Sequence, residues 1–351
     1  MGISVGLGLS ALLPAGLGFR NLLINGDFGI NQRGFSSTTT TGTYGFDRWS
    51  MIGSGGTTTY SAQTFSPGNA IQGYEPKNFT RVVSSGQSAS SSYSILIQKI
   101  ENVRTAAGLP VVVSFWAKAA SGTPKVAIEL YQYFGTGGSP SASVGTYVGQ
   151  ATLSTSWQRF TMTVILPSIS GKTIGTTMDG AVEFNMWVSG GSDYNSRTGS
   201  LGIQSNTFDL WGVQLEQNYQ PTPFEQRPIG VELALCQRYY EKSYADGVAT
   251  ATNTATGVHY QSSFGNASGQ HFITVRFQTL KRANPTVSLW TQAGGVGAWA
   301  VISSPQAAPG YAGAASVINT TTKAFTVNQS DGGYAWQGGQ TLGHWEATIE
   351  L

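Results

Sequence analysis

The sequence predicts an all-β protein: a jelly-roll β-sandwich over residues 20–224, one linking helix over 225–244, and a second, smaller C-terminal β-sandwich over 245–351. Three observations predict it. Charged residues make up only 10% of the 351, against about 25% in an average globular chain. Glycine is abundant at 46, while 16 Phe, 15 Tyr and 9 Trp supply enough apolar bulk for the chain to fold rather than stay disordered. Short β-branched and aromatic runs recur between clusters of Gly, Ser, Pro and Asn, with no helical period between them.

The chain opens with "MGISVGLGLSALLPAGLGF", residues 1–19. It lacks a basic start, is broken by glycines and Pro14, and has no clear cleavage site, so it is a poor signal peptide. It is too glycine-rich for a membrane span, and Gly6 stands where a myristoylation pattern needs Ser or Thr. It is expected to be an apolar assembly anchor, buried against another protein.

Next come the strand runs "VVVSFWAKA" (111–119), "KVAIELYQYF" (125–134), "QRFTMTVIL" (158–166), "AVEFNMWVSG" (181–190) and "NTFDLWGVQLE" (206–216). Many short strands without intervening helices indicate an antiparallel sandwich or jelly roll. The period then changes. "RPIGVELALCQRYYEKSY" (227–244) places Ile229, Leu233, Cys236 and Tyr240 at helical spacing, with Pro228 suited to the start and Asp246-Gly247 to the end. That stripe is either core packing or a threefold seam between copies of the chain. Strands return with "HFITVRFQTL" (271–280), "PTVSLW" (285–290), "KAFTVNQ" (323–329) and "HWEATIEL" (344–351), the last alternating to its final residue.

Several function classes fall away. A formal net charge of +2 and the absence of any basic run argue against nucleic acid. Cys236 is the sole cysteine, which rules out a disulfide framework and a cysteine metal site and leaves a buried thiol. His259, His271 and His344 lie far apart and join no motif, so no metal or cofactor is expected. There is no G-x-S-x-G, H-E-x-x-H, Walker A or C-x-x-C pattern, and the protein is expected not to be an enzyme. Glu129 and Glu183 would make a glycosidase-like carboxylate pair only if their strands were neighbours.

The blocks "NLLINGDFGINQRG" (21–34), "FDRW" (46–49), "VSFWAKA" (113–119), "WGVQLEQ" (211–217), "TPFEQRPIGVELALCQRYYEK" (222–242) and "RANPTVSL" (282–289) resemble a family of bacteriophage and prophage virion proteins. These are tail-fibre, receptor-binding or other structural proteins whose first domain looks like a carbohydrate-binding-module jelly roll. The resemblance covers roughly residues 20–290 in blocks. It implies a virion location, a homotrimer, docking to other virion proteins through the N-terminal segment, and attachment to host-surface glycan. The alternative is a capsid decoration protein that stabilises the head and binds no receptor. In this reading "NLLINGDFGINQRG" is the first strand and turn: Leu22, Leu23, Ile24 and Phe28 are its apolar part and Asn25-Gly26 its turn, and its polar residues satisfy loop backbone.

Strand alternation nominates one binding face. Val113, Phe115, Ile128, Leu130, Val182, Phe184 and Met186 point inward. That leaves Trp116 on one strand, Glu129, Tyr131 and Tyr133 on a second, and Glu183, Asn185 and Trp187 on a third, all facing outward. Flat aromatic rings beside carboxylate and amide groups suit a sugar, whose apolar face stacks while its hydroxyls hydrogen-bond. The same face also suits a subunit interface, the first expectation for a trimer, or cover by a loop of the chain itself.

Overall fold

The computed structural model describes residues 18–68, 71, 73–263, 270–303, 311–330 and 339–351. The expected anchor, residues 1–19, lies almost wholly outside the described residues. Within them the protein is all-β apart from short helical pieces.

The first half carries β1 (Ser37–Thr38), β2 (Ser50–Ser54), β3 (Thr57–Thr64), β4 (Asn78–Ser85), β5 (Tyr93–Glu101) and β6 (Pro110–Ala119). There follow β7 (Lys125–Tyr133), β8 (Val144–Thr152), β9 (Gln158–Ile165), β10 (Ala181–Gly190) and β11 (Asn206–Glu216). They form two antiparallel sheets, ordered β1-β3-β4-β11-β6-β9 and β2-β5-β10-β7-β8, which pack face to face as a jelly-roll sandwich. The alternation read from the sequence puts Ile128, Leu130, Val182, Phe184 and Met186 of one sheet against Val113 and Phe115 of the other, all in one core. In β11 the inward set shifts from Phe208 and Leu210 to Val213 and Leu215, because a bulge at Gly212, with φ +62°, inserts one residue.

The expected first strand is not one. Residues 18–35 are irregular, and other parts of the chain make their hydrogen bonds. The Gln98 side-chain amide accepts from Ile24 N–H (2.7 Å) and donates to Ile24 C=O (2.8 Å), as a paired strand would. Asn25 accepts from Ile30 N–H at 2.9 Å and donates to the Ile30 and Asp47 carbonyls, satisfying loop backbone. It is Asn25, not Gly26, that takes the left-handed conformation (φ +57°). Gly26 is needed for a different reason: a Cβ there would stand 2.1 Å from the Val213 carbonyl oxygen.

The linking helix is shorter than 225–244. α2 (Ile229–Gln237), preceded by the small α1 (Asn195–Thr198), stops because Tyr240–Lys242 is claimed by a sheet. Of the expected stripe, Cys236 is buried, Leu233 is half-buried and Ile229 is 67% exposed. Tyr240 is not helical at all, so the four residues form neither one core stripe nor a helical seam.

The second half comprises β12 (Tyr240–Lys242), β13 (His259–Ser263), β14 (Gln270–Arg276), β15 (Thr286–Trp290), β16 (Ala298–Ser303), β17 (Tyr311–Ile318), β18 (Ala324–Ser330) and β19 (Gly339–Thr348). The pairing runs β12-β19-β16-β17-β18-β14, with β13 and β15 also on β19. Strands from opposite ends of that order share one core. Ile273 and Val275 of β14 and Phe325 and Val327 of β18 pack with Leu289 of β15, Trp299 of β16 and Trp345 and Ala347 of β19. The sheet must therefore fold over on itself into a small sandwich. β19 ends at Thr348, and residues 349–351 leave it to dock on the first half.

That docking joins the sequence blocks. Glu350 pairs with Arg33 (3.0 Å) and with Arg48 of "FDRW". The Arg48 guanidinium lies 3.4 Å from the centre of the Tyr239 ring, and that of Arg33 lies 3.7 Å from the centre of Tyr240. Asp47 accepts from the backbone and side-chain N–H groups of Gln32, whose amide also donates to the Tyr240 carbonyl. Glu225 and Glu232, from the "PFEQRPIGVELALC" block, accept from the backbone N–H groups of Asn21 and Asn25 and pair with Arg227. These blocks, far apart in sequence, are one buried polar junction between the two halves.

Candidate functional site

β10 and β7 are neighbours, and their register places the outward residues in rows. One row runs Glu101–Ala181–Tyr133, the next Lys99–Glu183–Tyr131, the next Ile97–Asn185–Glu129, and the last Ile95–Trp187–Ala127. Side chains opposite one another in such a row lie about 5 Å apart. Six of the seven nominated residues therefore share one face. The seventh does not: β6 belongs to the other sheet. Trp116 is 1% exposed there, packed on Trp211 of the neighbouring β11 (5.3 Å) and on Tyr74 (5.5 Å) and Phe224 of the chain's own loops. Alternation tells inward from outward but not which sheet a strand joins.

The lower two rows are covered by the segment after β10. Tyr194 and Leu201 pack with Trp187, Ile95 and Ile97, and Trp187 is fully buried. Arg197, in α1, grips the buried Glu129 bidentately at 2.6 and 2.8 Å. Its guanidinium lies 5.0 Å from the Tyr131 ring and 4.9 Å from that of Trp187. Glu129 also accepts from Asn185 and from the Trp187 indole N–H, each at 3.1 Å. Burial works against the charge on Arg197, yet Glu129 outweighs it and lifts the guanidinium pKa above its ordinary value. This half of the face is a closed, satisfied cluster.

The upper two rows stay open. Tyr131, Tyr133, Glu183 and Lys99 are all half-buried, while the exposed Tyr147 stands opposite Glu129, at the edge of the covered rows. Lys99 Nζ sits 3.2 Å from Glu183 and 6.0 Å from the centre of the Tyr133 ring. Burial, then Asp179 and Glu183, push the Tyr133 hydroxyl pKa up. The open patch thus offers two phenol rings, an ammonium and a carboxylate on a rigid sheet. The Glu129 and Glu183 strands do adjoin, but each carboxylate has its own cation, and neither is placed as a free acid or base.

Arg197 and Lys99 were not among the nominated residues. Lys99 shows in the alternation of "YSILIQKIE", where Ile95 and Ile97 share its face. Arg197 carries no signal, being a single cation in a helix of four residues too short to show a period. Among the described residues no group of His, Cys, Asp and Glu could hold a metal ion, and no helix is long and apolar enough to cross a membrane. Burial pushes the Cys236 thiol pKa well up, so it is unreactive.

No protein-family model matches the sequence, and no curated protein matches it. Among solved structures, the chain is similar to one described as a CBM4 structure, at 15% identity and a TM-score of 0.32, covering 55% of this chain and 98% of that one. It is also similar to the CBM22-2 xylan-binding domain from Paenibacillus barcinonensis Xyn10C, at 14% identity and a TM-score of 0.31, over 49% of this chain and 92% of that one. A third is a family 11 carbohydrate-binding module from Clostridium thermocellum in complex with a β-1,3-1,4-mixed-linked tetrasaccharide, at 11% identity and a TM-score of 0.32, over 53% and 99%.

Proposed function

We propose that this chain is a non-catalytic glycan-recognition protein of a phage particle, whose jelly-roll half holds sugar on the open part of its outer sheet. The observation that carries the reading is the patch of Tyr131, Tyr133, Glu183 and Lys99, with Lys99 and Glu183 3.2 Å apart beside two half-exposed rings. Pyranose rings stack on such phenols while their hydroxyls bond to the carboxylate, ammonium and phenol groups. Catalysis finds no support there, because both nearby carboxylates are neutralised by their own cations.

The virion setting, the homotrimer and the docking of residues 1–19 onto other virion proteins rest on the sequence blocks quoted above. Repeated copies on one particle would turn weak single sites into firm attachment. A glycan array on the full chain tests recognition: Tyr131→Ala should weaken the best hit at least about fivefold while leaving the melting curve in place. A blank array, together with binding to purified capsids, would instead support a head-decoration protein. Light scattering after size exclusion tests the trimer, and a monomer at every concentration would remove it.

A further inference from the structure

We infer that the cleft between the two halves binds the acidic group of a charged saccharide, a carboxylate or a phosphate, with Arg104 and Arg282 as its anion ligands. The cleft holds about 400 Å³ and is lined by Glu101, Asn102, Arg104, Met178, Arg238 and Arg282, a size within the range of small-molecule sites. Three arginines face one glutamate.

Arg238 is spent on that glutamate, gripping Glu101 bidentately at 2.8 Å and 2.8 Å. Burial pushes the Glu101 carboxyl up, but Arg238, Tyr239 and Arg282 together hold it below its ordinary value, so it is ionised and paired. Arg282 anchors through Nε to the Ile349 carbonyl (2.8 Å) and through a long contact to the Met178 carbonyl (3.4 Å). The exposed Arg104 guanidinium has no side-chain partner among the described residues. The nearby carboxylate of Asp179 is taken up by Thr136 and Thr177. Those neutral donors leave Asp179 charged, so three arginines meet the carboxylates of Glu101 and Asp179, and one positive charge stays in excess at the cleft.

Its rim is built under strain. Asn102 has φ +71° and Met178 has φ +56°, left-handed conformations that non-glycine residues rarely adopt. The Asn102 side chain accepts from Arg104 N–H at 3.0 Å, holding the turn that presents Arg104. Met178, 81% exposed, stands at the lip as an apolar contact.

The cleft also adjoins the aromatic patch. Ala181 pairs with Glu101 on one side and Tyr133 on the other, so those two residues lie in one row, about 10 Å apart. A glycan on the tyrosines would reach the cleft by crossing β10, and in this the inference deepens the carbohydrate reading and rests on it.

Calorimetric titration of the full chain tests it with two matched pairs: tetragalacturonate against galactotetraose, and glucose 6-phosphate against glucose. The acidic member of at least one pair should bind about tenfold tighter, and the pair that shows it names the group. That preference should vanish in Arg104→Ala, return in part in Arg104→Lys, and shrink with added salt. Equal binding of acidic and neutral probes, a preference untouched by Arg104→Ala, or no binding of any probe would overturn the inference. If Tyr131→Ala weakens both members alike while Arg104→Ala changes nothing, the cleft fails and the aromatic patch stands. If Tyr131→Ala changes nothing while Arg104→Ala abolishes the acid preference, the patch fails and the cleft stands.

Discussion

Arg48 and Glu350, separated by 302 positions, form an ion pair that ties the two halves of the molecule together. The Arg48 side chain is 1% exposed and that of Glu350 8%. Arg48 also donates to the Lys99 carbonyl (2.6 Å) and covers Tyr239. Removing Glu350 strands the Arg48 charge in a place without water, so Glu350→Gln should cost about 3–5 kcal/mol, read from urea unfolding; Arg48→Met leaves Glu350 its second cation, Arg33, and should cost less. The double variant should cost clearly less than the sum of the two.

Trp187 belongs to the packed part of the outer sheet, so Trp187→Ala should cost about 3–5 kcal/mol and say nothing direct about sugar contact. Arg197→Ala leaves the Glu129 carboxylate buried without its cation. Because Arg197 is about one-third exposed, the expected loss is smaller, about 1–3 kcal/mol. Thermal melts of both variants check the order. A Trp187→Ala protein as stable as the parent would mean the covering segment does not pack as described.

Gly26→Ala should destabilise by about 1–3 kcal/mol, because the new methyl meets the Val213 carbonyl and breaks the 2.9 Å bond from Val213 N–H to the Gly26 carbonyl. Asn25→Gly, which keeps the left-handed backbone but loses the amide, separates conformation from hydrogen bonding at the next position. Chemical denaturation of the two variants distinguishes the roles.

Burial pushes the Asp47 carboxyl up to about 6, against the pull of Arg33 and Gln32. Its folded value lies above the unfolded 3.8, so folding favours the protonated form. The stability this contributes is present below about pH 4 and is lost as pH rises through 6, at most about 3 kcal/mol. Asp47→Asn cannot titrate. Wild-type stability measured relative to the variant should therefore fall between pH 4 and 7; a flat difference would contradict it.

Much of the sandwich is legible in the sequence because a period of two is a local signal: "KVAIELYQY" and "AVEFNMWVSG" announce which side chains face the core. Three things are not local. Trp116 sits in a different sheet from Tyr131, a matter of topology. Tyr240 continues a helical spacing, yet pairs with Thr348 because a ladder to β19 outweighs the weak helix preference of its Tyr-Tyr neighbourhood. The polar residues of "NLLINGDFGINQRG" look like ordinary loop residues, and most are. Arg33 finds Glu350 only across the whole length of the chain. Charged partners three hundred positions apart leave no spacing to read.

The late arrival of Glu350 bears on how the chain is made. A ribosome adds roughly 5–20 residues per second, so every strand of the jelly roll has emerged well before Glu350 is translated. During that interval Tyr239 and Tyr240 are already made and Arg33 has Asp47, but both arginines lack the Glu350 carboxylate, and the nascent sandwich must keep that edge wet. Closure of that junction thus waits for the stretch around Glu350, and a product that stops short of it would leave Arg48 without its carboxylate.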